Sequence, residues 1–106
     1  MTQELIEKKK VEIQKDITDN KVILYMKGHR DMPMCGFSNQ VVHILNQTGV
    51  EFMTKNVLED DVLRQAIKEF SDWPTIPQLY VNGEFIGGCD IITELHQSGD
   101  LKNQLN

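Results

Sequence analysis

Cys35 is the residue of this chain whose type and surroundings are best suited to chemistry. It ends a polar loop and is followed by Gly36-Phe37-Ser38. A thiol-redox motif of the Cys-x-x-Cys type would carry a second cysteine at position 38, where this chain has a serine. Because a hydroxyl cannot form a disulfide, a reactive Cys35 must bond to something from outside, either a small thiol or a metal centre.

The place of Cys35 at the predicted start of a helix favours its thiolate. Unpaired N–H groups and a partial positive charge at a helix N-terminus lower a thiol pKa from about 8.5 to about 3.5–7.5. Lys27 and Arg30 in the preceding loop can add positive potential. The alternative is a small, inert, buried thiol. We favour a reactive thiol because Cys35 follows a loop that contains Pro33 and precedes Gly36 and a predicted helix. We therefore predict Cys35 as the catalytic residue.

The segment Gly87-Gly88-Cys89-Asp90 is a second candidate site. Two glycines let the backbone approach a ligand closely, and the helix that follows can hold a carboxylate at its N-terminus. Asp90 either caps that helix or accepts a hydrogen bond from an α-amino group. Cys89 is either a second redox cysteine or an inert packed thiol, and we favour the inert alternative.

Two further segments carry candidate ligand contacts. Thr75-Ile76-Pro77 lies at the start of a predicted strand, where proline commonly marks a sheet edge. A cis bond before Pro77 is uncommon and is not predicted from these residues alone. Such a bond would leave the Ile76 N–H and C=O free to pair with an extended ligand backbone. Arg64, on a predicted helix, either binds a carboxylate in bidentate fashion or is an ordinary solvated side chain.

Other metal sites have weaker support in the sequence. Three methionines surround the Cys35 loop and three histidines are scattered along the chain: Met26, Met32, Met34, His29, His43 and His96. Thioether sulfurs are ligands for Cu(I), but methionine more often fills gaps in a core. The histidines lack zinc-site spacing with the two cysteines.

The elements that must position these residues follow the order α, β, α, β, α, β, β, α, α. The predicted strands are Val22–Met26, Glu51–Val57, Gln78–Val81 and Glu84–Ile86. The predicted helices are one that ends at Asp19-Asn20, then Gly36 to Gly49, Asp60–Phe70, Ile91 to His96 and one from Asp100. The crossover helix makes the first two strands parallel, and Asn82-Gly83 predicts a hairpin between the last two. We expect an α/β fold, a four-stranded mixed sheet with helices on both faces.

Length and charge limit the classes of function. A chain of 106 residues suits one domain spanning 1–106, and a net charge of −5 argues against nucleic-acid binding. The run Lys8-Lys9-Lys10 sits among glutamates, which favours a solvated helix face over a membrane or nucleic-acid patch. No long apolar segment or signal peptide is present, and two cysteines without secretory context indicate reduced thiols. We therefore expect a cytoplasmic protein that binds no membrane. Location in an organellar matrix is the alternative if a transit peptide precedes these residues.

Four motifs in order resemble the monothiol glutaredoxins of the Cys-Gly-Phe-Ser type. They are Tyr25-Met26-Lys27-Gly28, Met34-Cys35-Gly36-Phe37-Ser38, Trp73-Pro74-Thr75-Ile76-Pro77-Gln78 and Gly87-Gly88-Cys89-Asp90. The resemblance extends from the N-terminal helix to about Gln104. It implies a thioredoxin-like fold, a single glutaredoxin domain and a cis bond before Pro77.

The resemblance also implies a glutathione site. In it, Lys27 and Arg64 meet the glycine carboxylate of glutathione. Ile76 pairs with the cysteinyl backbone, and Cys89 and Asp90 hold the γ-glutamyl end.

The main role implied by the resemblance is to bind a 2Fe–2S cluster and transfer it to iron–sulfur apoproteins. A 2Fe–2S cluster takes four thiolates, and two Cys35 residues with two glutathiones in a symmetric homodimer complete that set. Cys35 is thereby a metal ligand. The alternative function is a glutathione-dependent oxidoreductase that reduces protein–glutathione mixed disulfides through Cys35, at most a weak enzyme.

Overall fold

The computed structural model describes residues 1–106. Its helices are α1 Gln3–Asp19, α2 Gly36–Thr48, α3 Asp61–Ser71, α4 Cys89–Ser98 and α5 Asp100–Leu105. Its strands are β1 Val22–Met26, β2 Gly28–His29, β3 Met32–Pro33, β4 Met53–Asn56, β5 Gln78–Val81 and β6 Glu84–Gly87. Every predicted helix and strand is present. The strand predicted over 51–57 is shorter, because only its middle residues pair with β1.

The main sheet has the strand order β4-β1-β5-β6. β1 pairs in parallel with β4, and the pairs β1–β5 and β5–β6 are antiparallel. This arrangement confirms the mixed sheet, its parallel pair and the Asn-Gly hairpin. The hairpin turn needs positive φ at both central residues, and Asn82 and Gly83 have φ of 53° and 80°.

Helices cover both faces of the sheet because side chains of the central strand alternate between two cores. Leu24 and Met26 point into a cluster with α2, α4 and α5. Ile23 and Tyr25 point into a second cluster with α1 and α3. All five residues of β1 are buried, as expected for a strand with neighbours on both edges and helices on both faces. This is the thioredoxin-like arrangement, so the predicted fold class is confirmed.

The basic run of α1 is only partly the solvated face that the sequence predicts. The Lys9 ammonium lies 2.7 Å from Glu12 and 3.1 Å from Asp60, the residue that caps α3. The Lys10 ammonium lies 3.3 Å from Glu69 at the other end of α3. Two of the three lysines therefore bridge α1 to α3. No helix of the structure is both long enough and apolar enough to cross a membrane.

A short hairpin precedes Cys35 where the sequence analysis predicts only a loop. β2 and β3 pair Gly28 with Pro33 and His29 with Met32. Gly28 has a φ of 91°, and a Cβ there would lie 2.5 Å from the Met32 carbonyl oxygen. Its N–H donates to Oδ1 of Asn56 at 2.9 Å, which ties the hairpin to the end of β4. The hairpin fixes the direction from which the chain enters α2.

Candidate functional site

Cys35 is the N-cap residue of α2, as its predicted position at a helix start requires. Its backbone is extended, with φ −155° and ψ 139°, and its side chain makes no capping hydrogen bond to the helix. The Cys35 carbonyl accepts from the Asn39 N–H at 2.9 Å, while the first N–H groups of α2 stay without intrahelical partners. The half-buried thiol therefore lies beside free backbone donors.

These donors shift the thiol toward its ionised form. Burial raises the pKa of the Cys35 thiol, but the nearby N–H groups of Ser38 and Phe37 lower it, and together with other groups they outweigh burial. The Ser38 hydroxyl and the positive charge of Lys27 add to this effect, so the pKa lies below its ordinary value. The helix start and Lys27 thus act as expected at this thiol.

Arg30 does not contribute to the Cys35 environment, contrary to expectation. Its guanidinium carbon lies 4.0 Å from the centre of the Phe52 ring, and Nη2 donates to Oδ1 of Asn46 at 3.0 Å. Stacking and hydrogen bonding therefore engage this cation at Phe52 and Asn46. Lys27 is the cation whose positive charge lowers the pKa of Cys35.

Ser38 does more than stand where a second cysteine would be. It is fully buried, and its Oγ accepts a hydrogen bond from the Lys27 N–H at 3.1 Å. The same hydroxyl lowers the pKa of the Cys35 thiol. Sequence reasoning missed this role, although the three-residue spacing from N-cap to N3 is the one at which side chains reach back across a helix start.

Cys89 lies at the start of α4 in a less favourable environment. Burial raises the pKa of its thiol, a hydrogen bond with Thr93 lowers it, and the nearby Asp90 and Cys35 charges raise it further. The net shift is upward, opposite in direction to that of Cys35. The Cys89 thiol is therefore the less readily ionised of the two.

An open cavity of about 350 Å³ lies next to the Cys35 loop. Its lining residues are Lys27, Phe37, Lys68, Trp73, Pro74, Thr75, Ile76, Pro77, Gly88, Cys89, Asp90 and Ile91. Four of the predicted ligand-site residues, from three separate segments, are brought together here: Lys27, Ile76, Cys89 and Asp90. Cys35 itself is not a lining residue, but it lies close to two that are, Phe37 and Cys89. Arg64 is half-buried and is not among the lining residues.

Lys68, and not the predicted Arg64, is the residue of α3 that lines the cavity. Both residues are on α3, and their spacing of four puts them on one face of the helix. Neither Lys27 nor Lys68 forms an ion pair within the chain. Two free ammonium groups therefore face the same space. The i, i+4 spacing was the signal that could have pointed to Lys68.

The loop before β5 presents its backbone to the cavity. The Ile76–Pro77 bond is cis, and neither the N–H nor the C=O of Ile76 makes a hydrogen bond within the chain. Gln78, fully buried, holds this loop: its Nε2 donates to the carbonyls of Trp73 at 3.1 Å and Thr75 at 3.2 Å. The peptide groups of Ile76 are thus fixed and unpaired.

The start of α4 is left open toward the cavity. Gly88 is its N-cap residue and has no side chain that could cap the helix. The first intrahelical bond runs from the Ile92 N–H to the Gly88 carbonyl at 3.0 Å. Asp90 lies in the first turn and is exposed, so it is not the cap, which was one of its two alternatives. The cavity thus has a free helix N-terminus and a carboxylate at one end, and ammonium groups at Lys27 and Lys68.

Comparison with known proteins gives consistent matches. The family model described as Glutaredoxin matches residues 22–86. "Probable monothiol glutaredoxin 2" of Rickettsia typhi is 60% identical over 93 residues, which are 88% of this chain and 84% of that protein. "Monothiol glutaredoxin-S14, chloroplastic" of Arabidopsis thaliana is 53% identical over 88% of this chain and 54% of its own length. "Glutaredoxin-related protein 5, mitochondrial" of Danio rerio is 56% identical over 84% of this chain and 58% of its own.

Solved structures resemble this fold over most of its length. Reduced apo GrxS14 from poplar is 51% identical, covers 91% of this chain and 88% of its own, and has a TM-score of 0.80. A buckwheat glutaredoxin in complex with glutathione has a TM-score of 0.88 and covers 99% of this chain and 94% of its own. At 24% identity, the buckwheat structure is a match of fold.

Proposed function

Because this chain belongs to the monothiol glutaredoxins of the glutaredoxin family, we propose that it binds glutathione and carries a 2Fe–2S cluster for transfer. We take residues 1–106 as a single glutaredoxin domain. One observation carries the proposal: a single thiolate-favouring cysteine, with a buried serine in place of its partner, lies beside a cavity of peptide size.

The charges of the cavity complement those of glutathione. Glutathione carries two carboxylates and one ammonium group. We assign Lys27, which lines the cavity, to the glycine carboxylate, and the unpaired backbone of Ile76 to the cysteinyl residue. Asp90 and the open start of α4 suit the γ-glutamyl ammonium and carboxylate. The related buckwheat protein binds glutathione in the same fold, which supports this assignment.

The cluster is cargo for which one chain supplies too few ligands. No group of three or more His, Cys, Asp or Glu side chains is arranged to hold a metal. A 2Fe–2S cluster takes four thiolates. Two copies of Cys35 and two glutathione thiolates make that number, so the loaded form is a homodimer with the cluster between its subunits. Iron–sulfur apoproteins are then the acceptors of the cluster.

The cysteine test is anaerobic reconstitution with iron, sulfide and glutathione, followed by visible absorbance and sedimentation. Cys35→Ser should lose the cluster and remain unassociated. Cys89→Ser should retain most of the cluster and sediment as a dimer, since we assign Cys89 to the γ-glutamyl end of glutathione and not to the cluster. Loss of the cluster in both variants would make both cysteines ligands and would overturn the glutathione-bridged dimer.

The cavity cations give an independent test of glutathione binding. Lys27→Ala should weaken glutathione-supported assembly roughly tenfold or more, because a hydrogen bond to a charged group contributes about 1.5–3 kcal/mol. Arg64 lies one turn before Lys68 on α3, outside the cavity lining, and we keep the glycine carboxylate as its proposed partner, so Arg64→Ala should weaken assembly as well. Lys68→Ala should do the same, since Lys68 lines the cavity. Lys8→Ala is the control, because that side chain is 72% exposed on α1. Unchanged assembly in all three variants would place the glutathione site elsewhere.

A second function, reduction of protein–glutathione mixed disulfides, is favoured by the lowered pKa of Cys35. The Cys35 thiolate would attack the glutathione sulfur, releasing the protein thiolate and forming a Cys35–glutathione disulfide. A second glutathione thiolate would then attack that sulfur, regenerate Cys35 and leave as glutathione disulfide. Turnover of a glutathionylated peptide by Cys89→Ser, and none by Cys35→Ser, is the expected result. No turnover by the unmodified protein would remove this function.

The cytoplasmic location stays a prediction. Relatives with chloroplastic and mitochondrial names match most of this chain with only 54% and 58% of their own lengths. An organellar matrix is the alternative site of the same function. Subcellular fractionation of the source cells with an antibody to this protein decides between the two.

A further inference from the structure

Trp73 lines the cavity and is held firmly by its backbone. Its N–H donates to the Lys68 carbonyl at 3.2 Å and to the Ser71 hydroxyl at 3.1 Å. Its carbonyl accepts from Nε2 of Gln78 at 3.1 Å. The indole packs on Phe85 with ring centroids 5.8 Å apart. The ring is therefore fixed by the backbone on one side and by an aromatic neighbour on the other.

The polar edge of this indole faces the open start of α4. A Cβ added at Gly88 would lie 3.4 Å from the indole Nε1 and 3.3 Å from the Pro77 carbonyl oxygen. The indole N–H makes no hydrogen bond within the chain, although it can act only as a donor. At the same place the N–H groups of Cys89, Asp90 and Ile91 precede the first intrahelical bond of α4. Several donors thus surround one small space, and none of them has an acceptor.

We propose that Trp73 is a specificity-determining residue of the cavity, whose indole N–H donates to the α-carboxylate of a γ-glutamyl group. The inference rests on the proposed glutathione site and adds a residue to it. A γ-linked glutamate keeps its α-carboxylate and α-ammonium on one carbon, which an internal α-linked residue does not. The donors at Trp73 and α4 suit that carboxylate, and the Asp90 carboxylate beside them suits the ammonium.

The test is calorimetric titration of the reduced protein with S-methylglutathione, which cannot exchange disulfides. Trp73→Phe keeps an aromatic ring on Phe85 and removes only the donor edge. It should bind S-methylglutathione roughly tenfold more weakly than the unmodified protein does, as expected for a lost hydrogen bond to a charged group. Gly88→Ala should also weaken binding, because its φ of −98° tolerates alanine while the new methyl group occupies the space before the indole.

A matched ligand separates recognition of the carboxylate from packing of the ring. The S-methyl derivative of 4-aminobutanoyl-cysteinylglycine keeps the ammonium group and lacks the α-carboxylate. Trp73→Phe and the unmodified protein should bind this analogue equally. Equal loss for both ligands, or no loss for either, would overturn the role of Trp73 and leave the glutathione site intact. Failure of the unmodified protein to bind S-methylglutathione would overturn the proposed glutathione site, and this inference with it.

Discussion

The two cysteines differ in pKa because different groups surround their thiols, although each cysteine lies at the start of a helix. Cys35 lies beside the backbone N–H groups of Phe37 and Ser38 and beside the Ser38 hydroxyl, which lower its pKa. Cys89 is dominated by burial, which raises its pKa, with the neighbouring Asp90 charge adding to the effect. A helix N-terminus alone therefore does not decide the reactivity of a thiol. The local donors and charges decide it.

Ser38→Ala should slow alkylation of Cys35, measured in a Cys89→Ser background. The change removes the hydroxyl that lowers the pKa of Cys35 and accepts from the Lys27 N–H. The pKa of Cys35 should rise, so its alkylation profile should move to higher pH. At pH 7 the iodoacetamide reaction should slow by roughly tenfold, as expected for one lost hydrogen bond to a charged group.

Asn39→Ala serves as the control, because Asn39 is the next residue of α2 and its side chain is exposed. Its alkylation profile should match that of the Cys89→Ser background. An unchanged profile in Ser38→Ala would mean that the backbone donors alone set the Cys35 environment.

The position of Cys35 at a helix start could be predicted from the sequence, but the residues that surround its thiol and line the cavity could be predicted only in part. The helix-start effect on Cys35 is local, so loop and helix patterns are enough to find it. The contact between Ser38 and Lys27 joins residues eleven positions apart, and it depends on how β1 meets α2. Lys68 and Trp73 line the cavity only because the end of α3 and the loop after it come together in space with the start of α4, and this long-range arrangement has no local sequence pattern.

At the scale of elements, the β2–β3 hairpin connects the sheet to the reactive cysteine. The Met34 N–H donates to the Lys27 carbonyl at 2.9 Å, just before α2 begins. Longer elements such as β1 and α3 were predictable from their periodicity. The hairpin was not, because each of its strands has two residues and part of its support comes from Asn56 at the end of β4.

Gly28→Ala should destabilise the protein more than Gly49→Ala does. Both glycines have positive φ, 91° and 75°, so both variants lose roughly 1–2 kcal/mol from the left-handed backbone. A Cβ at Gly49 has no atom within 4 Å, whereas one at Gly28 would lie 2.5 Å from the Met32 carbonyl oxygen. The hairpin backbone must move in Gly28→Ala, so Cys35 alkylation should change as well.

Urea denaturation gives the two free energies of unfolding for this comparison. Equal losses in Gly28→Ala and Gly49→Ala, with unchanged alkylation of Cys35, would show that the hairpin tolerates the extra methyl group and does not position the thiol.

At the scale of the whole molecule, α1 packs through buried isoleucines, and ion pairs link it to α3 at the surface. Asp60 caps α3 through the Leu63 N–H at 3.0 Å and also meets the Lys9 ammonium. The Leu63 N–H lowers the pKa of Asp60, burial opposes this, and Lys9 lowers it further. A carboxyl whose folded pKa is lowered stabilises the protein above its unfolded pKa of about 3.9, and this contribution disappears as the pH falls through the folded value.

Asp60→Asn should therefore lower stability at pH 7 and have little effect at pH values below the folded pKa of Asp60. The loss at pH 7 should stay under about 1 kcal/mol, because the pair with Lys9 is partly solvated and the amide still caps the helix. Thermal unfolding at the two pH values measures it, with the exposed neighbour variant Asp61→Asn as control. A loss of equal size at both pH values would assign the effect to packing and not to charge.

Trp73 is the one tryptophan of the chain, and it stands in the wall of the cavity. The Phe85 ring centroid lies 5.8 Å from that of Trp73 and 5.4 Å from that of Tyr80. Tyr80 is therefore close enough to transfer excitation energy to the indole. The tryptophan emission of the molecule therefore comes from a single indole, which senses whether water or a ligand fills the cavity. Arrival of a ligand should shift that emission to shorter wavelength, so occupancy can be followed in stopped flow without any attached dye.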